Sequence, residues 1–261
     1  MIRIGFIFHL LFACLVLVAG EMLEVGSGKT YTTIQAALDA AKPSDVIKVD
    51  DGSYAESLIT KTNGALGQTI TVESRNYLGA IISQPTIISH NYVVFRGFNF
   101  TSITPAANAA ALTVQDSTGV VVEWSNFEFH SVTGPSGAVL LVKNATAAIV
   151  QANMFDNNSF GTNLTNAPVT LLVKESIRPR VVGNQFNDRD PSNTMTMAAR
   201  SYDIVFDKVI NGTLKQNGIA RFGIPRYAGV LVVDSERAQV TDNGMHAGIT
   251  LEARSGADID E

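Results

Sequence analysis

Short apolar runs recur along this chain with polar residues between them. One kind is a strand of about five residues: AALTV (110–114), AVLLV (138–142), VTLLV (169–173), TMTMA (194–198) and GVLVV (229–233). A second kind follows some way on: VVVEWSNFEF (120–129), AIVQANMF (148–155), RVVGNQF (180–186), DIVFDKVI (203–210) and AQVTDNGM (238–245). TIISHNYVVFRGFNF (86–100) is an earlier instance. Phe100, Phe127, Phe155 and Phe186 fall 27 to 31 residues apart, and Asn153, Asn184 and Asn243 stand two places before a Phe or Met. A fixed period of roughly 20–50 residues marks a solenoid, propeller or array. Short β-branched strands with no helices between them point to a β-solenoid of roughly six or seven coils. The recurring Phe would fill its interior. The recurring Asn would occupy turns, tolerating left-handed backbone and bonding to the next coil. A two-sheet sandwich explains the strand density but not the period.

Before the repeats comes YTTIQAALDAAKPSDVIKVDDGSY (31–54). Its first part predicts a short amphipathic helix over 33–42, with Thr32 and Gln35 at capping-box spacing and Ile34, Ala37, Leu38 and Ala41 on one face. Pro43 stops it. Val46, Ile47 and Val49 follow as a strand, and Asp50-Asp51-Gly52 as a turn. So short a helix needs an apolar surface beneath it; the open end of the stack would supply one.

TIQAALDAAKPSDVIKVDDGSYAES resembles the opening of right-handed parallel β-helix proteins of the pectin lyase-like superfamily. LITKTNGALGQTITVESRN is similar to the matching segment of the alginate lyase and chondroitinase B family of polysaccharide lyases. The resemblance covers Tyr31–Asn76, with Ser44 where the family usually has Gly. It implies an all-β, single-stranded right-handed parallel β-helix with an N-terminal capping helix.

Met1–Gly20 reads as a secretory leader: Arg3, an apolar run from Ile4 to Leu17, then Val18-Ala19-Gly20 for cleavage. An uncleaved anchor is the alternative. Residues 21–261 would then be one β-helix domain, secreted, with no stable membrane insertion. The single cysteine, Cys14, lies in the leader, so packing rather than disulfides must hold the mature chain. A net charge of −5 argues against nucleic acid as a partner. Asn99, Asn144, Asn157, Asn163 and Asn211 head glycosylation sequons, to be used only on a eukaryotic secretory route. The last stretch, LEARSGADIDE, is polar and acidic with no capping helix, which fits either an open final coil with its edge blunted by charge or a chain shorter than others of this kind.

The two positions after each strand of the first kind read Gln115-Asp116, Lys143-Asn144, Lys174-Glu175, Ala199-Arg200 and Asp234-Ser235. Equivalent positions on successive coils lie about 4.8 Å apart. Lys143, Lys174 or Glu175, and Arg200 would form a ladder, with Arg178, Arg180 and Arg189 beside it. This basic patch on an acidic chain suits an acidic polysaccharide.

The lyase resemblance adds β-elimination on a uronate polymer such as alginate or a glycosaminoglycan. VKES (173–176) and AARS (198–201) resemble the family's catalytic Lys and Arg coils. That makes Lys174 the candidate base and Arg200 the candidate for gripping the sugar and assisting the departing oxygen. A lysine beside another cation can be tuned toward that role. The substrate-binding candidates are Lys143, Glu175, Arg178 and Arg180. Aligning Ser176 with Ser201 puts Glu175, not Lys174, in the column of Arg200. The resemblance also implies calcium, but the family's acidic ligand places hold Val169 and Ala167 here.

A charge row at a solenoid turn is commonly a solvated face. The alternative function is therefore a non-catalytic extracellular β-helix that binds glycans or serves a surface role; an epimerase is a third. Of the other residues, His130 could act as a base or as a capping residue. His90 and His246 lack metal-ligand spacing. Trp124 could stack on a sugar ring. Asp188 and Asp190 could serve hydrolysis of the polygalacturonase type.

Overall fold

The structure, a computed structural model, describes residues 20–160, 168–188, 202–221, 229–245 and 249–252. Residues 1–19 and 253–261 lie outside them. Each repeat folds as one coil of three short strands, and each strand pairs in parallel with its counterpart one coil on, giving a β-solenoid of about seven turns. The first sheet has nine strands, from Met22–Val25 to Gln239–Thr241. The second has eight, from Gly52–Tyr54 to Gly244–Met245, and the third has eight, from Leu58–Ile59 to Ile249–Glu252.

Alternation along each strand sends every second side chain inward. Because the coils are in register, like stacks on like. Ile47, Val72, Phe95, Val122, Val150, Val181 and Leu214 form one buried column of the first sheet. In the second sheet Phe100, Phe127, Phe155 and Phe186 stack with centroids 4.8, 4.9 and 4.7 Å apart and planes within 12° of parallel. That spacing is the inter-strand repeat itself, so the backbone ladder sets the ring contacts.

The outer face of the first sheet carries a column of alternating charge: Glu24, Lys48, Glu73, Arg96 and Glu123, then Gln151. Lys48 bonds Glu73. Arg96 donates from Nε to Glu123 at 2.6 Å, and Gln151 donates to the other Glu123 oxygen at 2.6 Å. Opposite charges on neighbouring strands each contribute about 0.2–1 kcal/mol.

The corner from the first sheet to the second is a single tight turn. One residue takes left-handed backbone (Gly97, Trp124, Ala152, Gly183, Gln216, Asp242), and the next begins a side-chain ladder. In that ladder the Ser125 amide donates to Asn153 Oδ1, Asn153 to Asn184, Asn184 to Asn217 and Asn217 to Asn243, each at 2.9–3.0 Å. The Nδ2 groups of Asn153 and Asn184 donate to the Val122 and Val150 carbonyls. The asparagines thus bind coil to coil as expected, with Asn217 added to them. The left-handed position, however, belongs to the residue before each.

The helix spans Ile34–Ala40, shorter than 33–42, and buries Ile34, Ala37 and Leu38. Its cap is Thr33, which accepts from the Ala36 amide, not Thr32. The Glu56 carboxylate accepts from the Ile34 and Gln35 amides at 2.8 and 3.0 Å, meeting two donors that a helix start leaves open. Gln35 in turn bonds both backbone groups of Ile59, tying the helix to the third sheet. Ser44, the position at which the cap departs from the sequence it resembles, takes the left-handed conformation that Gly favours (φ 78°).

Two assignments change. The strand beside Val169–Lys174 in the third sheet is Ile204–Asp207, so the place expected for 194–198 belongs to 204–207; 194–198 itself lies outside the described residues. LKQNGIARFGIPRYA (214–228) breaks the sequence period and by itself reads as a long loop extruded from one coil, yet Thr213–Lys215 and Gly218–Arg221 continue the first and second sheets. TMTMA misled because it too is a short alternating apolar run.

Candidate functional site

The corner from the third sheet to the first is where the candidate residues gather. It has a fixed design. The last strand residue points outward. The next residue is left-handed, and a second left-handed residue follows three places later: Asn144 and Ala147, Glu175 and Arg178, Lys208 and Asn211, Asp234 and Arg237. Between them Thr118, Thr146, Ile177, Ile210 and Glu236 form a column of single bridges. Ser176 and Ser235 tie the coils together from inside: Ser176 Oγ accepts from the Ala145 amide at 3.2 Å and Ser235 Oγ from Val209 at 3.0 Å.

Lys143 and Lys174 are register partners at the ends of their strands, as the basic ladder requires. The next member is Asp207, not Arg200. Arg200 and Arg189 lie outside the described residues. Glu175 does not share the Lys174 column; it sits exposed at the first left-handed position, in line with Asn144, Lys208 and Asp234. Arg178 is exposed at the second such position, and Arg180 is exposed at the start of Arg180–Val182, around the corner on the first sheet. The corner therefore pairs Gln115/Asp116, Lys143/Asn144, Lys174/Glu175, Asp207/Lys208 and Val233/Asp234 along successive coils.

Asp207 is the group sequence reasoning missed. Burial pushes its carboxyl above the usual Asp range; Lys208 and Lys174 pull it down, and Asp234 and Glu175 push it up. A usable clue was present. Lys174-Glu175-Ser176-Ile177 and Asp207-Lys208-Val209-Ile210 both place Ile three residues after the strand end.

Among the described residues no group of three or more His, Cys, Asp or Glu is placed to hold a metal ion. Val169, at one implied calcium position, offers no oxygen and is buried in an apolar cluster with Ala138, Leu141, Tyr202 and Val205. Ala167 is outside the described residues. The described residue does not fit calcium.

His130 is neither a surface group nor a free base. It is buried and accepts at Nδ1 from the Ile103 amide at 3.1 Å, while its own amide donates to Asn158 Oδ1 at 3.1 Å. It replaces an asparagine in a short corner ladder. Burial lowers its pKa to about 4, so it is neutral near pH 7. His90 bonds Thr60 Oγ1 at 2.9 Å; His246 is outside the described residues. Trp124 is 54% exposed. Asp188 ends Gln185–Asp188, and Asp190 is outside the described residues. Of the sequons, Asn99 has both amide atoms engaged, donating to Glu128 and accepting from Asn126. Asn144 donates to Asp116 Oδ1 at 2.7 Å, and Asn211 accepts from Arg237. Asn157 is left-handed, and Asn163 is outside the described residues.

No protein-family model matches the chain, and no curated protein matches it in sequence. Solved structures do match its fold. The pectin methylesterase from carrot is 13% identical, with 92% of this chain and 89% of that chain covered and a TM-score of 0.56. Pectin methylesterase PemA from Erwinia chrysanthemi is 13% identical over 89% of this chain and 80% of that one, with a TM-score of 0.52. An alginate lyase from Paenibacillus sp. str. FPU-7 is 14% identical over 88% and 97%, with a TM-score of 0.45. All are right-handed parallel β-helix proteins, and at these identities the likeness is one of fold.

Proposed function

We propose that the chain is a secreted β-helix that binds an acidic polysaccharide along the third-to-first corner, and that Lys174 is the base of a β-elimination there. The observation that carries this reading is the register of Lys143 with Lys174. Two ammonium groups repeat at about the inter-strand 4.8 Å, flanked by Arg178 and Arg180, on a chain of net charge −5. Such a row neutralises the carboxylates of a polyuronate by proximity. The fold shared with pectin methylesterases supports the same polymer class.

In the elimination, Lys174 first gives up its own proton to solvent and then, as the amine, takes the proton α to the uronate carboxylate, while Lys143, Arg178 and Arg180 keep their charge toward the polymer. The released electron pair forms the carbon–carbon double bond, and the glycosidic oxygen departs with its own pair and a proton. Asp207, one coil away with its carboxyl pushed up by burial, is the group to supply that proton. No step runs through a metal. The same reading takes 1–20 as the leader, the helix Ile34–Ala40 as the lid of the first coil, and the exposed sequons Asn144 and Asn211 as glycan acceptors on a eukaryotic route.

A second reading, binding without turnover, is favoured by one observation. Asp207 offers the Lys174 ammonium a partner within the protein. Ultraviolet absorbance of unsaturated uronate ends tests the two, with alginate, pectate, chondroitin sulfate and dermatan sulfate as substrates. New absorbance that Lys174→Ala removes establishes the lyase. A flat trace with retained binding, weakened by Lys143→Ala, leaves the binding protein. Neither turnover nor binding overturns both.

A further inference from the structure

The outer face of the second sheet carries a different chemistry from the Lys174 corner. On one coil, Trp124 and Phe129 stand at the two ends of the strand Asn126–Glu128. Both are large apolar side chains left in solvent, 54% and 55% exposed. Both sit at left-handed positions, φ 53° and 55°. Other coils fill those two columns with Gly97, Ala152, Gly183 or Gln216, and with Ser102 or Asn157. An aromatic residue suits neither the backbone conformation nor the solvent exposure, and here one appears at both corners of a single coil. The strand Asn126–Glu128 and a tight corner at each end separate the pair, which keeps their spacing below the roughly 16 Å of five fully extended steps, within the span of a short oligosaccharide.

Between them the outward side chains are hydrogen-bonding groups without cations. Asn126 Nδ2 donates to Asn99 Oδ1 at 3.2 Å, and Asn99 Nδ2 donates to Glu128 Oε1 at 2.9 Å. Asp156 follows Glu128 in register, and Gln185 lies two coils beyond Asn126 in its column. Asn126 itself is buried, so the groups this coil and the one before it present to solvent are the partly exposed Glu128 and Asn99. Carboxylates and amides read hydroxyl groups, and aromatic faces cover the C–H faces of sugar rings. The same carboxylates repel a polyanion.

We infer that this face is a second glycan-binding surface, for a neutral, hydroxyl-rich oligosaccharide clamped between Trp124 and Phe129. It stands independently of the elimination and of the Lys174 corner.

Trp124 is the only tryptophan in the chain, so its emission reports this face alone. The folded protein is titrated with cellohexaose, mannohexaose and xylohexaose, and separately with an alginate hexasaccharide. Saturable change of Trp124 emission with a neutral hexaose is expected, with none from the alginate hexasaccharide. Phe129→Ala and Glu128→Ala should each weaken that binding about tenfold, the loss of a well-seated contact. Lys174→Ala should leave it unchanged. Calorimetric titration of Trp124→Ala, its fold checked by circular dichroism, should show the same weakening. Emission indifferent to all three neutral hexaoses overturns the inference, as does binding that Phe129→Ala leaves intact. Failure here leaves the ultraviolet assay untouched, and the reverse holds.

Discussion

Lys174 and Asp207 are register partners at the ends of neighbouring strands, so one ammonium and one carboxylate share a column one inter-strand step apart. Lys174→Ala should lower turnover of a uronate polymer by about 10²–10⁴-fold, the contribution of a positioned base. It should do so with little change in melting temperature, because the side chain lies on the outer face. Initial rates from the ultraviolet assay and a thermal melt check the two halves.

Asp207→Asn keeps the shape and removes the charge. Burial raises the folded carboxyl above its unfolded value, so its contribution to stability is complete below about pH 3.9 and is lost as pH rises through the raised value. The variant should therefore melt at or above the parent at pH 7. The difference should close by about pH 4. Melting temperature measured across pH 3–8 decides it.

His130 titrates with the opposite sign. Its folded pKa of about 4 lies below the ordinary His value, so its contribution is complete above about pH 6.5 and falls away as pH drops through 4. The parent should lose on the order of 3 kcal/mol from this group. His130→Asn, which copies Asn158 of the next coil, should flatten that part of a stability–pH profile measured by urea titration.

Asn184→Ala removes an acceptor from the Asn153 amide and a donor to the Val150 carbonyl, both in the interior. The expected loss is roughly 2–4 kcal/mol. Asn211→Ala, at an exposed corner but a left-handed position that Ala takes less readily than Asn, should cost about 1 kcal/mol. Urea denaturation compares the two asparagines directly.

Phe127→Ala opens a void between two stacked rings, Phe100 and Phe155, and should cost about 3–5 kcal/mol. The same denaturation series measures it.

The period, the Phe stack and the asparagine ladder were legible because a solenoid repeats its chemistry along the chain. The register of Lys143 with Lys174 was legible for the same reason. Reading failed where one coil stopped resembling its neighbours. The connection from the second sheet to the third differs in length between coils, as 102–109 and 129–137 already show. A longer connection therefore shifts the following strand away from its expected place. That shift hid Asp207 and put Arg200 in its column. Gly218–Arg221 was missed because glycine stands where other coils place Asn126, Met154 or Gln185. Capping of the helix by Glu56 bridges about twenty residues of sequence, so no local pattern announces it.

The alternating column of Glu24, Lys48, Glu73, Arg96 and Glu123 makes the order of the early coils a matter of parity. Excising any one coil from its middle sets two charges of the same sign side by side. Excising two neighbours restores the alternation. A coil threaded one place out of turn meets repulsion where its proper neighbour would meet attraction. The outer face of the first sheet thus specifies sequence order in a stack whose interior, apolar at every level, would accept many permutations.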